Sequence, residues 1–201
     1  MTIQPPYRAD NLTQHPLELY LEKFRASDPR EISVRTGVPC MENAFILTVL
    51  GETKTITWPD FADENWRDKD RILFVRYLLE GRKTDSYSGF TTYRLLPWGD
   101  VYDRQFTARC VNRLAGTYGT RAQIFASCAE KLGAKKVQSS GLAYEFPFMP
   151  GLAVQMILWE GDEDFPASAQ ILFSDNFPEA FSAEDRVVVC EYILGKLRMM
   201  E

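Results

Sequence analysis

The chain contains a single histidine, His15, which sits beside a proline near the start of its 201 residues. General-base chemistry by histidine, Ser-His-Asp and Cys-His pairs, and multi-histidine metal sites are excluded unless His15 folds back into a cleft. An exposed histidine at a helix start is the plainer reading. Gly-x-Gly-x-x-Gly, Gly-Lys-Ser/Thr and Gly-x-Ser-x-Gly are all missing, so the common nucleotide and hydrolase signatures do not apply. Cysteine is sparse: Cys40, Cys110, Cys128 and Cys190 are far apart and never form Cys-x-x-Cys. In a reducing compartment such residues read as buried free thiols, because cysteine packs as a small hydrophobe. No apolar run approaches the roughly 20 residues of a membrane span. The start, Met1-Thr2-Ile3-Gln4-Pro5-Pro6, has neither the basic nor the apolar part of a signal peptide, and the expectation is a cytoplasmic protein. Lysine and arginine number 23 against 28 acidic residues, for a net charge of −5. The two signs are interspersed and no basic stripe exists to neutralise phosphates, so nucleic acid is excluded as a partner.

What is present suits one folded body. Hydrophobic residues make up 45%, charged residues 25% and aromatics 13%, and a chain of this length buries roughly 70% of its unfolded surface without staples. No repeat, low-complexity tract or linker divides it, so 1–201 reads as a single domain. Leu17, Tyr20, Leu21 and Phe24 recur at helical spacing after Pro16, and Asp28-Pro29 ends that helix. Residues 34–40 read as a strand with Pro39 at its end. Residues 44–50 and 53–58 read as a hairpin turning at Gly51-Glu52. The spacing predicts a central helix from an Asp68 cap to Gly81, then a short extended piece over 90–96 closed by Pro97-Trp98-Gly99. A helix capped by Asp100 follows, with Tyr102, Phe106, Cys110 and Leu114 four apart and an end at Gly116. Thr120-Arg121-Ala122-Gln123 has the form of a capping box for the next helix, stopped by Gly133. The period then changes to two: 144–148, 152–160 and 168–173 are three strands of an antiparallel meander. Ser182 to Asp185 is a second capping box, opening a helix whose buried stripe is Val189, Ile193, Leu197 and Met200. The fold class is therefore α+β, an antiparallel sheet (early hairpin plus C-terminal three-strand meander) covered by about five helices.

One stretch concentrates charge. Trp159-Glu160-Gly161-Asp162-Glu163-Asp164-Phe165-Pro166 places four carboxylates between two apolar runs. In a turn, Asp162, Glu163 and Asp164 can converge on a hard cation, and a carboxylate pair can serve as general acid and base. A solvated hairpin loop is the blander reading of the same residues. Trp98 and Tyr102 follow the other proline-glycine turn, and aromatics beside charges line ligand pockets, although they more often anchor a loop to the core. Arg94 either orients an anionic ligand or pairs with a carboxylate and locks the corner. The candidate ligand-binding set is Arg94, Trp98, Tyr102, Trp159, Asp162, Glu163 and Asp164.

Gly89-Phe90-Thr91-Thr92-Tyr93-Arg94-Leu95-Leu96-Pro97-Trp98-Gly99-Asp100-Val101-Tyr102, the acidic stretch with Ile171-Leu172-Phe173, and Ala183-Glu184-Asp185 together resemble the bacterial family called domain of unknown function 3786. The resemblance runs from the first helix to the last. It implies an anaerobic bacterial setting. Some members resemble fusions with a cysteine-rich iron-sulfur segment ahead of this domain. No such segment stands here, so the resemblance implies that any cluster belongs to a partner. A glycine is common in the family where this chain has Trp98, which speaks against a phosphate cradle at that turn. The family implies no established activity and no cofactor.

Three readings follow. The first is a non-catalytic accessory or ligand-binding domain beside an iron-sulfur or corrinoid protein. The second is an enzyme with a cation on Glu160, Asp162 and Asp164 and an anionic substrate on Arg94. The third is a structural homodimer formed through an exposed apolar sheet face.

Overall fold

The structure, a computed structural model, describes residues 17–62 and 66–201; His15 and the helix opening at Pro16 lie outside them. Helix α1 (Leu17–Arg25) buries Tyr20, Leu21 and Phe24, the stripe its spacing predicts. Asp28 caps a second helix, α2 (Pro29–Thr36), by accepting the Arg30 N–H at 2.8 Å, with Pro29 in the first turn. Helix α2 takes up the first three residues of the stretch 34–40 that reads as a strand from sequence. The capping aspartate and the pre-set φ of Pro29 outweigh the β-propensity of Val34, which is 85% exposed and has no sheet to join. Only β1 (Cys40–Met41) is extended.

The early hairpin forms from β2 (Ala44–Val49) and β3 (Glu52–Thr57), and β1 adds to its far side in the order β1-β2-β3. Its turn lies one residue earlier than expected. Val49 faces Glu52, and Leu50 (φ 49°) with Gly51 (φ 76°) are both left-handed. Two left-handed central residues match the right-handed twist of the strands. Helix α3 (Asp68–Glu80) also starts one residue early. Arg67 is its cap residue, and Asp68 and Asp70 occupy the first turn, where carboxylates complement the exposed N–H groups. As its composition predicts, α3 is central and buries every residue from Ile72 to Leu78.

Strand β4 (Phe90–Thr92) is shorter than the extended piece 90–96, because the chain leaves the sheet in a 3-10 turn at Tyr93–Leu95. Tyr93 is drawn inward: its ring stacks on Phe106 at 4.1 Å and its hydroxyl donates to the Ala183 carbonyl at 2.8 Å. Helix α4 (Gly99–Phe106) passes through a π-helical stretch (Thr107–Val111) into α5 (Asn112–Tyr118), beyond the expected end at Gly116. Phe106, Cys110 and Leu114 are buried along it and Tyr102 is half-buried. Helix α6 (Ala122–Lys131) packs against α5. The capping box at 120–123 does not form. The tight turn from Tyr118 to Arg121 makes Arg121 the cap residue, and its guanidinium donates back to the Thr117 carbonyl.

The meander is β6 (Leu142–Met149), β7 (Leu152–Trp159) and β8 (Ser168–Ser174). Strand β5 (Lys135–Val137) extends one edge and β4 the other, giving the order β4-β8-β7-β6-β5 with every pairing antiparallel. The fold is α+β, with the early hairpin in a sheet of its own joined to the meander by the Leu50 N–H donating to the Phe148 carbonyl. Helix α7 (Ala183–Met199) closes the chain. Its capping box forms as predicted, with Ser182 and Asp185 each satisfying the other's backbone N–H. The core is one contiguous cluster reaching from α1 to α7. Phe148 lies at its centre, in ring contact with Phe74, Phe177, Phe181 and Tyr192. Cys110, Cys128 and Cys190 are buried free thiols and Cys40 is half-buried. Among the described residues no helix is long and apolar enough to cross a membrane.

Glu191 joins three of these elements. From α7 it pairs with Lys69 of α3 at 3.3 Å and with Arg109 of the π-helical stretch at 2.9 Å. Burial raises its carboxyl, but the Arg109 hydrogen bond and the charges of Arg109 and Lys69 outweigh burial and leave it below the usual range. A lowered folded pKa contributes stability above the unfolded value of about 4.3 and loses it as pH falls through the folded value. Glu191→Gln is expected to lower stability at pH 7 by about 1 kcal/mol. The difference from wild type should shrink as urea unfolding is repeated below about pH 4.

Candidate binding cleft

The acidic corner closes on itself. The Asp162 carboxylate accepts the N–H groups of Asp164 (2.9 Å) and Phe165 (2.7 Å), and the Asp162 N–H donates back to the Phe165 carbonyl at 2.9 Å. This is an Asx turn, the use that short acidic side chains commonly find in loops. Glu160, Glu163 and Asp164 are exposed, and the loop docks on the end of α5 through the Gly161 N–H and the Gly119 carbonyl, 3.3 Å apart. Trp159 is half-buried in the last position of β7, opposite Ser168. Arg94 is exposed in the 3-10 turn after β4, and no ion pair joins it to a carboxylate among the described residues. No group of three or more His, Cys, Asp or Glu side chains is placed to hold a metal ion among the described residues.

Trp98 and Tyr102 stand one helical turn apart at the start of α4. Trp98 has φ 62°, a left-handed conformation that costs a residue with a Cβ about 1–2 kcal/mol. It is the position at which the family resemblance expects glycine. The next residue, Gly99, allows no substitute, since a Cβ there would lie 1.9 Å from the Tyr93 carbonyl oxygen. The turn is held from beneath by Arg186 of α7, which is 1% exposed. Arg186 donates to the Pro97 and Ser182 carbonyls and lies over the Tyr93 ring at 5.4 Å. Burial pushes its pKa down to about 10 against the opposing charges of Tyr93 and Asp185.

Among the described residues a cleft of about 590 Å³ lies elsewhere, between β3 and the facing parts of α3 and α7. Strand β3 contributes Thr53, Lys54 and Thr55; the entry to α3 contributes Trp66, Arg67 and Asp70; Tyr192, Lys196 and Met199 come from α7. Among the described residues three cations thus line it with one carboxylate, Asp70, and a second carboxylate, Glu52, bonds two of them. Glu52, the first residue of β3, holds both lysines, with its Oε2 at 2.6 Å from Lys54 Nζ and 3.0 Å from Lys196 Nζ. Hydrogen bonds from Lys54 and Lys196 keep the Glu52 carboxyl below its ordinary range against the effect of burial. Each ammonium also sits near a ring, Lys54 at 5.9 Å from Trp66 and Lys196 at 5.8 Å from Tyr192. Arg67 donates from Nε to Asp70 Oδ2 at 2.7 Å, while Asp70 Oδ1 is buried with no hydrogen-bond partner among the described residues. Burial, with Asp70 and Glu52 nearby, pushes the Tyr192 phenol up, so it stays a neutral donor.

An aromatic wall with fixed ammonium and guanidinium groups is equipped to bind a molecule with an anionic group and an apolar body. Sequence reading missed this cleft because its residues are scattered from Thr53 to Met199, with nothing in their local order to link them. The only local signal is Tyr192 with Lys196, four apart on one helical face.

The Asx turn predicts that Asp162→Ala costs about 1 kcal/mol in urea unfolding, whereas Asp164→Ala changes stability by less than about 0.5 kcal/mol. At the left-handed position, Trp98→Gly should be more stable than Trp98→Ala by about 1 kcal/mol, measured in the same way.

No curated protein and no solved structure matches the chain. The family described as domain of unknown function (DUF3786) matches residues 28–196. The resemblance seen in the motifs around Trp98 and Asp162 thereby holds across most of the length, and the chain belongs to the DUF3786 family.

Proposed function

We propose that this protein is a non-catalytic accessory domain that binds an anionic ligand, and that the cleft between β3, α3 and α7 receives it. The observation that carries this reading is the trio Lys54, Arg67 and Lys196 set around the Trp66 and Tyr192 rings in about 590 Å³. That volume lies within the range of roughly 300–1,000 Å³ usual for ligand sites. The chemistry lining the cleft favours binding over turnover: among the described residues the groups are cations, hydroxyls, rings and one carboxylate, Asp70, which is committed to Arg67. Elsewhere, burial raises the thiols of Cys40, Cys128 and Cys190, the opposite of what a reactive cysteine needs. The family resemblance adds a partner to the proposal, a redox protein carrying an iron-sulfur cluster or a corrinoid, beside which this domain works in the cytoplasm.

The test is calorimetric titration of the full chain with benzoate, indole-3-carboxylate and phenyl phosphate. Saturable binding is expected, weakened about tenfold by Lys196→Ala and again by Lys54→Ala, since each removes a charge-assisted contact. No binding at 10 mM of any probe, or binding indifferent to both substitutions, would overturn the cleft. Turnover of a metabolite that is lost in the same variants would overturn the non-catalytic reading.

A further inference from the structure

The cleft is bordered along one side by a free strand edge, and this narrows what it can receive. Among the described residues the sheet order β1-β2-β3 leaves β3 with a neighbour on one side only. In a two-residue hairpin the closing pair exchanges its backbone hydrogen bonds, and pairing then alternates. Val49 and Glu52 close this hairpin, so Glu52, Lys54 and Ile56 turn their N–H and C=O groups toward β2, while Thr53 and Thr55 turn theirs outward. Ile46, which faces Thr55, accordingly gives its N–H to the Pro39 carbonyl on the other side at 3.0 Å. The outward groups of Thr53 and Thr55 belong to residues that line the cleft. Among the described residues the other outer strands are shorter: two residues in β1 and three each in β4 and β5, against six in β3.

An exposed strand edge is a template for another strand, and proteins usually cover it or guard it with charge. Here the guards are arranged as a selective surface. Lys54 projects from β3 beside the edge, Lys196 and Arg67 face it from the helices, and the carboxylate that holds the lysines, Glu52, is on the strand itself. Among the described residues a segment approaching β3 meets Lys54, Lys196 and Arg67 against Glu52 and Asp70, one positive charge in excess, with the Trp66 and Tyr192 rings behind it. An acidic chain is drawn in and a basic one repelled.

We infer that the ligand of this cleft is an extended, acidic segment of a partner protein, which adds to β3 as a fourth strand. Its backbone pairs with Thr53 and Thr55, its carboxylates lie on Lys54, Lys196 and Arg67, and an apolar side chain packs against Trp66 and Tyr192. This is recognition by strand addition, in which main-chain bonds supply affinity and alternate side chains supply specificity. The inference rests on the cleft being the binding site and goes beyond it in naming a peptide as the occupant.

The experiment is fluorescence anisotropy of the full chain with labelled hexapeptides carrying one aromatic and two acidic residues, with lysine replacing the acids in control peptides. Acidic peptides should bind at least tenfold more tightly than the controls. N-methylation of alternate peptide amides should weaken binding at least tenfold in one set of positions and little in the other, because only every second amide faces β3. Thr55→Pro removes an outward N–H, which proline can replace on an edge strand, and should weaken peptide binding at least tenfold. Peptides that bind regardless of N-methylation would overturn strand addition even if the Thr55→Pro chain fails to fold. Binding of benzoate with no peptide binding would overturn the peptide and leave the cleft standing, and binding of neither would remove both.

Discussion

Helix α7 runs through the interior with nearly its whole circumference covered, and its first turn carries Glu184, Asp185 and Arg186 in buried positions. Charges removed from water must be paired or hydrogen-bonded there, and the surrounding elements are placed to meet that demand. Arg76 of α3 pairs with Asp185 at 3.2 Å, with both side chains almost fully buried, and also donates to the Tyr20 hydroxyl of α1 at 3.2 Å. Asp185 completes the capping box with Ser182. Arg186 reaches the Pro97 carbonyl and so holds the turn that starts α4. Losing one partner of a buried pair of this kind costs about 3–5 kcal/mol. Helices α1 and α3 and the turn at 97–99 are thereby tied to one turn of α7, and the ring cluster around Phe148 fills the space between them.

The opposite end of α7 has a different environment. From Tyr192 to Met199 the helix comes out beside β3, with Lys196 and Tyr192 facing the strand across the cleft. The cleft walls are consequently rigid elements: two helices anchored in the core and a hairpin bonded to the large sheet at Phe148. The cations there are held in place by Glu52 and Asp70. The acidic corner contrasts with this. Its main carboxylate, Asp162, is committed to closing its own loop, and its connection to the rest of the protein runs through backbone at Gly119.

Much of the secondary structure was legible because it depends on local patterns. The stripes of α1, α3 and α7, the Ser182 capping box and the alternation of β6 to β8 follow from side-chain period and short-range hydrogen bonding. The misreadings were also local, and each was decided by a neighbour. Asp28 and Pro29 started a helix where 34–40 reads as a strand, Tyr93 left the sheet to stack on Phe106, and Arg121 displaced the cap expected at Thr120. Of the site, the sequence picked out the turn at Trp98 and the loop at Asp162, both of which turned out to be well-defined loop structures. It did not indicate the cleft, whose cations are Lys54, Arg67 and Lys196.

The sequence by itself determined the α+β class, the antiparallel meander, the buried thiols and the family, since each depends on composition, period or contiguous motifs. Only the tertiary structure decided that the hairpin forms a separate sheet with a free edge and that α7 lies at the centre. It alone put Glu52, Lys54, Arg67 and Lys196 around two rings. Such a cluster is made by chain crossings over more than a hundred residues, and nothing in the local order of side chains encodes which distant charges will meet.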